Sequence, residues 1–94
     1  MTRPVKKRNI DFNPKVTYFK PRAVPLSILE EVDLGVDELE SLRLCELEKM
    51  EQSKAAKQMK ISQSTLQRIL SSAHEKVTEA LIHGKAIKIT EPVK

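Results

Sequence analysis

From Ser62 to Gly84 the apolar residues recur at steps of three and four: Leu66, Ile69, Leu70, Ala73, Val77, Ala80 and Leu81. That spacing keeps one face of a 3.6-residue helix apolar for about four turns, and it predicts the longest element of the chain. Ser62 is a good N-cap for it, and Gly84 suits the residue that ends it. Just upstream, Ala55, Ala56 and Met59 mark the inner face of a shorter helix over 52–59, with "KIS" as the interruption between the two. A third helix is expected over 36–48. Leu39, Leu42 and Cys45 form its stripe, with Leu44 and Leu47 beside it. Gly35 is its N-cap, and Glu38 stands where a capping-box carboxylate belongs.

Outside these helices the pattern is irregular. Pro4, Pro14, Pro21 and Pro25 interrupt the first 25 residues, each removing a backbone donor. "VTYFK" has strand-like composition, and its Tyr18 and Phe19 read best as anchors onto the helical core. "PLSILEE" suggests a short helical turn opening at Pro25, and "KAIKIT" alternates enough for a short strand that could pair with the N-terminal segment. The expected fold is therefore all-α. Residues 1–34 form a basic arm and irregular segment, and residues 35–94 a helix-turn-helix domain with a possible short C-terminal strand.

Composition narrows the chemistry. In 94 residues, 39% are hydrophobic and 32% charged, which suits a folded single domain rather than a disordered chain. The net charge of +4 is unevenly spread. Residues 1–22 hold seven basic residues against one acidic, residues 23–51 two against nine, and residues 52–94 eight against three. Positive flanks around an acidic middle suit a polyanionic partner such as nucleic acid. There is no apolar run near the ~20 residues of a membrane helix and no apolar region of a signal peptide, so a cytoplasmic protein without a membrane partner is expected. Cys45 stands alone. It lacks metal-binding spacing with His74 and His83, and with only two glycines there is no phosphate-binding loop. No catalytic residue, metal site or cofactor is expected.

Residues 52–71 fit the helix-turn-helix template. Ala56 is the small residue where two helices must cross closely, and Ala55, Met59, Ile61, Leu66 and Ile69 fill its apolar places. Lys60 occupies the turn position where glycine is usual, because the backbone there tends to be left-handed. On the second helix the outward face carries Ser64, Gln67, Arg68, Ser71 and Glu75, with Gln63 at the tip. Arginine can donate bidentately to guanine and glutamine to adenine, so Gln63, Ser64, Gln67 and Arg68 are the candidates for base edges. Ser62, Thr65 and Ser71, with Arg3, Lys6, Lys7 and Arg8 of the arm, are the candidates for phosphate.

"ISQSTLQRILSSAHEKV" resembles the last helix of the promoter-binding region at the C-terminus of bacterial sigma factors. "YFKP", "VP", "DELESLRL", "AAKQM", the Ser62 turn and "ALIHGKAIKI" together resemble an uncharacterised family of small bacterial and archaeal proteins predicted to bind DNA. The chain departs from that pattern at Gly35, where a hydroxyl cap is usual, at Glu51 in place of serine, and at Lys60 in place of the turn glycine. The expected function is sequence-specific binding of duplex DNA in transcription regulation, as a homodimer assembled through Ile82, Ile87 and Ile89. The competing reading is a protein-interaction module that docks on RNA polymerase or another protein through Glu38, Glu40, Glu46 and Glu48 of the first helix.

Overall fold

The computed structural model describes residues 9–91. Along the chain run β1 (Tyr18–Phe19), a 3-10 turn (Leu26–Ile28), β2 (Glu31–Gly35) and α1 (Val36–Leu42). A wider π-type turn (Arg43–Leu47) follows, then α2 (Gln52–Met59), α3 (Gln63–His83) and β3 (Ala86–Thr90). The expectation of an all-α domain is overturned: three helices are joined to a three-stranded mixed sheet, and the fold is α/β.

The sheet has the order β1-β3-β2, with the last strand in the middle. β3 runs antiparallel to β1, with Tyr18 opposite Lys88 and Phe19 opposite Ile87, which is the pairing of "KAIKIT" with the N-terminal segment that alternation suggested. It runs parallel to β2, with Val32 beside Ile87 and Leu34 beside Ile89. A parallel pair needs a long crossover, and here the three helices supply it. The strand that periodicity did not reveal is β2. Its Val32 and Leu34 are buried while Glu31 and Asp33 are exposed, the two-residue period of a half-buried strand. Five residues running straight into a helix cap give that period too little length to stand out.

Helix boundaries follow the sequence closely for α2 and α3. α2 ends at Lys60 in a left-handed conformation (φ 60, ψ 44), as the turn requires. α3 starts from Ser62, whose hydroxyl accepts the Thr65 N–H at 3.1 Å, and stops at left-handed Gly84. Leu44, Ala55, Ala56, Met59 and Leu66 form the core between the π turn, α2 and α3, with Met50 and Ile61 packed against it. Leu81, placed by periodicity in the apolar stripe, is instead 74% exposed, because at this level only the side of α3 that carries Ala80 faces inward.

α1 departs furthest from expectation. Its buried positions are Val36, Glu38, Glu40 and Ser41, not the stripe of Leu39, Leu42 and Cys45, which is half-buried. Past Leu42 the helix widens, with the Glu48 N–H reaching the Arg43 carbonyl at 2.9 Å, and Lys49 then turns left-handed. The widening alters the phase of the side chains, burying Leu44 and leaving Leu47 exposed.

Both buried carboxylates are fully paired. Glu40 accepts Arg43 Nε at 2.8 Å, Arg43 Nη2 at 3.0 Å and the Asp11 N–H at 3.0 Å. Glu38 accepts the Ser72 hydroxyl at 2.6 Å, Lys76 Nζ at 2.9 Å and the Gly35 N–H at 2.8 Å, so it clamps α1 onto α3. Burial alone would raise the Glu38 carboxyl. The bonds from Ser72, Gly35 and Lys76 overcome that and hold it below the usual range. Gly35 cannot cap α1 with a side chain. Asp37 stands in, its carboxylate accepting the Glu38 N–H at 2.8 Å, and a Cβ on Gly35 would come within 2.6 Å of that oxygen.

Candidate nucleic-acid interface

The turn between α2 and α3 spans three residues, Lys60 to Ser62, and the burial around it divides cleanly. Ala55, Ala56, Met59, Leu66, Ile69 and Leu70 face inward. Ser53, Lys54, Lys57 and Lys60 are exposed on the α2 side, and Gln63, Ser64, Gln67, Arg68 and Ser71 on the α3 side. From Gln52 to His74 the chain holds four cations and no carboxylate. The exposed surface of α2 and the first half of α3 is therefore cationic and rich in amide and hydroxyl groups.

The four candidates for base edges, Gln63, Ser64, Gln67 and Arg68, all lie on this surface. Among the described residues Gln63, Gln67 and Arg68 make no hydrogen bond or ion pair, so their donors are available to a ligand. Arg68 also borders a shallow groove shared with Asp33, Asp37 and Glu91. These carboxylates set a negative edge on one flank of the surface, where a phosphate would be repelled.

The phosphate candidates divide three ways. Ser62 is committed to the cap, because its hydroxyl donates to Thr65 Oγ1 at 2.8 Å while accepting the Thr65 N–H. Thr65 thereby keeps its own hydroxyl proton for an outside acceptor, and Ser71 is exposed. Arg3, Lys6, Lys7 and Arg8 lie outside the described residues. The backbone N–H groups of Gln63 and Ser64, at the first turn of α3, have no intrahelical acceptor and add two donors of the kind that hold phosphate.

Reasoning from the sequence missed the lysines of α2. Lys54 and Lys57 sit at helical spacing on the exposed side, and the signal for them was the acid-free run itself. It also missed how the N-terminal segment is tied down. The Asn9 N–H donates to the Met59 carbonyl at 3.0 Å and Asn9 Nδ2 to the Gln58 carbonyl at 2.9 Å, capping the open end of α2. Gln58 Nε2 returns a bond to Asp11 at 2.9 Å, and Arg43 lies 5.8 Å from the centre of the Phe12 ring. No local motif announces contacts across some fifty positions.

The first helix offers less acidity than its sequence suggests. Glu38 and Glu40 are buried and paired within the fold, Glu46 bonds His74 at 2.8 Å, and Glu48 stands 3.5 Å from Arg43. Burial raises the Cys45 thiol above its ordinary range, which disfavours the reactive thiolate. Among the described residues no helix is long and apolar enough to cross a membrane.

Comparison with known proteins places the chain in a family. It belongs to the family described as protein of unknown function DUF134, whose model matches residues 1–92. It is 52% identical over 89 residues to a UPF0251 protein of Caldanaerobacter subterraneus, covering 95% of this chain and 75% of that one. A UPF0251 protein of Desulforudis audaxviator is likewise 52% identical over 89 residues, but there the chain spans only 58% of the relative's length. A third, from Dehalococcoides mccartyi, is 53% identical, with 76% of the relative covered. No solved structure matches the chain.

Proposed function

We propose that this member of the family binds duplex DNA through α2 and α3 and regulates transcription, as a two-fold dimer in the cytoplasm. The observation that supports the reading best is the exposed surface of residues 52–74, which presents Lys54, Lys57, Lys60 and Arg68 with no carboxylate among them. A solvated helix face with no ligand ordinarily mixes both signs, as the second half of α3 does with Glu75, Lys76 and Glu79. Under this proposal α3 enters the major groove by its N-terminal half, with Gln63, Ser64, Gln67 and Arg68 toward base edges. Lys54, Lys57, Lys60, Thr65 and the first-turn N–H groups of α3 meet the phosphates on either side.

The alternative, docking on RNA polymerase through the first helix, rests on four carboxylates of which two are inside the fold. Selection of bound sequences from a random duplex library tests the proposal, followed by titration of the selected and a scrambled duplex at two salt concentrations. Arg68→Ala should weaken the selected duplex by roughly 1–3 kcal/mol, relax one base pair of the preference, and change scrambled binding little. Lys54→Ala with Lys57→Ala should weaken both duplexes alike and lower the salt slope by about two. No enrichment of any sequence, or equal losses on both duplexes for Arg68→Ala, would reject sequence reading.

A further inference from the structure

The three aromatic residues of the chain, Phe12, Tyr18 and Phe19, fall within eight consecutive positions. The stretch that holds them is also free of acid. Between Asp11 and Glu30 the charged residues are Lys15, Lys20 and Arg22. All three are exposed, and none pairs with a carboxylate among the described residues. Composition makes Tyr18 and Phe19 anchors onto the helical core, and the fold uses Phe19 otherwise. Tyr18 donates its hydroxyl to Glu31 at 2.6 Å on one face of the sheet, and Phe19 takes the other face. There Phe19 is opposite Ile87, which lies beside Val32. Directly paired residues share a face, so the three form a row across the sheet. Val32 is buried, Ile87 half-buried and Phe19 52% exposed, so cover thins toward the edge strand and leaves the ring open. Phe19 meets no other ring or cation among the described residues, whereas Phe12 has Arg43 5.8 Å from its centre. Glu31 and Asp33 alternate with Val32, which puts their carboxylates on the face away from Phe19.

We propose that this stretch binds unpaired nucleic acid, with a base stacked on Phe19 and Lys15, Lys20 and Arg22 holding the phosphates around it. An exposed ring offers a π-face to any base, and cations beside it follow the charge of the strand. The strand must be unpaired, because in a duplex the base faces are already stacked on one another. The duplex surface proposed for α2 and α3 has the opposite make-up: residues 52–74 carry cations, amides and hydroxyls and no aromatic. The two acid-free runs therefore suit different partners, one the edges and phosphates of a duplex, the other the faces of free bases. An apolar protein partner would use the ring and leave three cations unmatched, whereas a single strand uses both. The inference stands on β1 and its flanks and does not depend on what α3 reads.

Fluorescence anisotropy of the full chain tests it, with labelled strands of about fifteen nucleotides: oligothymidylate, oligouridylate and an abasic backbone of the same length. The better base-bearing strand should bind roughly ten-fold more tightly than the abasic one, and its identity tells DNA from RNA as the source. Phe19→Leu keeps an apolar side chain beside Ile87 and removes the ring. It should weaken the base-bearing strand roughly ten-fold and leave the abasic strand unchanged. Should Phe19→Leu lower the thermal melt, Phe19→Trp, which keeps a ring, decides: it must bind at least as tightly as the wild type. Lys15→Ala, Lys20→Ala and Arg22→Ala together should weaken every strand and lower the salt slope by about two. Arg68→Ala should change none of these affinities. Equal affinity for base-bearing and abasic strands overturns the inference, because that is the behaviour of a counter-charge alone. So does binding that survives Phe19→Leu, or that falls with Arg68→Ala and so belongs to α3. Absence of single-strand binding, with a self-association that Phe19→Leu abolishes, also overturns it and would make the ring a contact between copies.

Discussion

Single residues carry the most direct tests. Lys60 holds φ 60 without being glycine, a conformation that costs an ordinary side chain roughly 1 kcal/mol. Lys60→Gly should stabilise the fold by up to about 1 kcal/mol in thermal melts and leave the preferred DNA sequence unchanged. If its positive charge meets phosphate, the same variant should also lose about one unit of salt slope. A loss of stability would mean that the lysine side chain contributes contacts beyond its backbone. At this scale some positions could be read from the chain and others could not. The turn at Lys60 and the caps at Ser62 and Gly84 were readable, because local chemistry alone sets them. Glu38 does bond the Gly35 N–H as its capping-box spacing predicts, but the burial of Glu38 and Glu40 was not readable. A carboxylate two residues into an acidic helix looks like a solvated charge until Ser72, Lys76 and Arg43 are brought to it from elsewhere or from the next turn.

At the scale of elements, α1 is held to α3 by Glu38, and that clamp is sensitive to acid. Its folded carboxyl titrates below the ordinary range, so the unfolded chain binds the proton more readily. The stability it contributes is complete above the unfolded value of about 4.3 and is lost as pH falls through the folded one. Glu38→Gln should cost roughly 1–3 kcal/mol at pH 7 and flatten the fall of stability between pH 5 and 3, measured by denaturant melts across that range. An unchanged acid profile would move the acid sensitivity to another carboxylate. At the start of α2, Glu51 has the extended backbone of an N-cap (φ −62, ψ 147) but makes no capping bond. Glu51→Ser should therefore raise stability by about 0.5–1 kcal/mol, read as a higher melting temperature, while removing a negative charge from the edge of the cationic surface. Among the elements, α2 and α3 were readable because long periodic stripes average out single exceptions. β2 was not, being too short, and neither was the phase of α1, which depends on a π turn that no composition rule marks.

At the scale of the molecule, α3 is the ruler. Its 21 residues span about 31 Å, with the proposed reading tip at one end and the exposed side chains of Leu81 and Ile82 at the other. Leu26 and Ile28, also exposed, belong to that far end, since the neighbouring Glu30 carbonyl accepts the Ala86 N–H at 2.8 Å. Ile87 and Ile89, two of the residues expected to join copies, are half-buried in the central strand, so the contact we propose between two copies passes to Leu26, Ile28, Leu81 and Ile82. A dimer formed there keeps both reading tips free, and its preferred site should be two-fold symmetric. Ile82→Glu should dissociate it in light scattering while lowering the melting temperature of the monomer little, because the side chain is 73% exposed. A wild-type monomer at tens of micromolar, together with an asymmetric selected site, would exclude the arrangement.

The central place of β3 has a consequence for how the protein is made. Among the described residues β1 and β2 do not pair with each other, and each pairs with β3 alone. During synthesis both emerge first and must wait, with their backbone groups hydrated, until residues 86–90 have left the ribosome. The helices between them can collapse in the meantime, since the contacts of α2 with α3 are local in sequence. The nascent chain should therefore gain helical structure well before it gains a sheet, and insertion of the late strand becomes the step that closes the fold. Chains stalled before Ala86 would carry two short, unpaired strands into a crowded cell, where a chaperone or a protease meets them first.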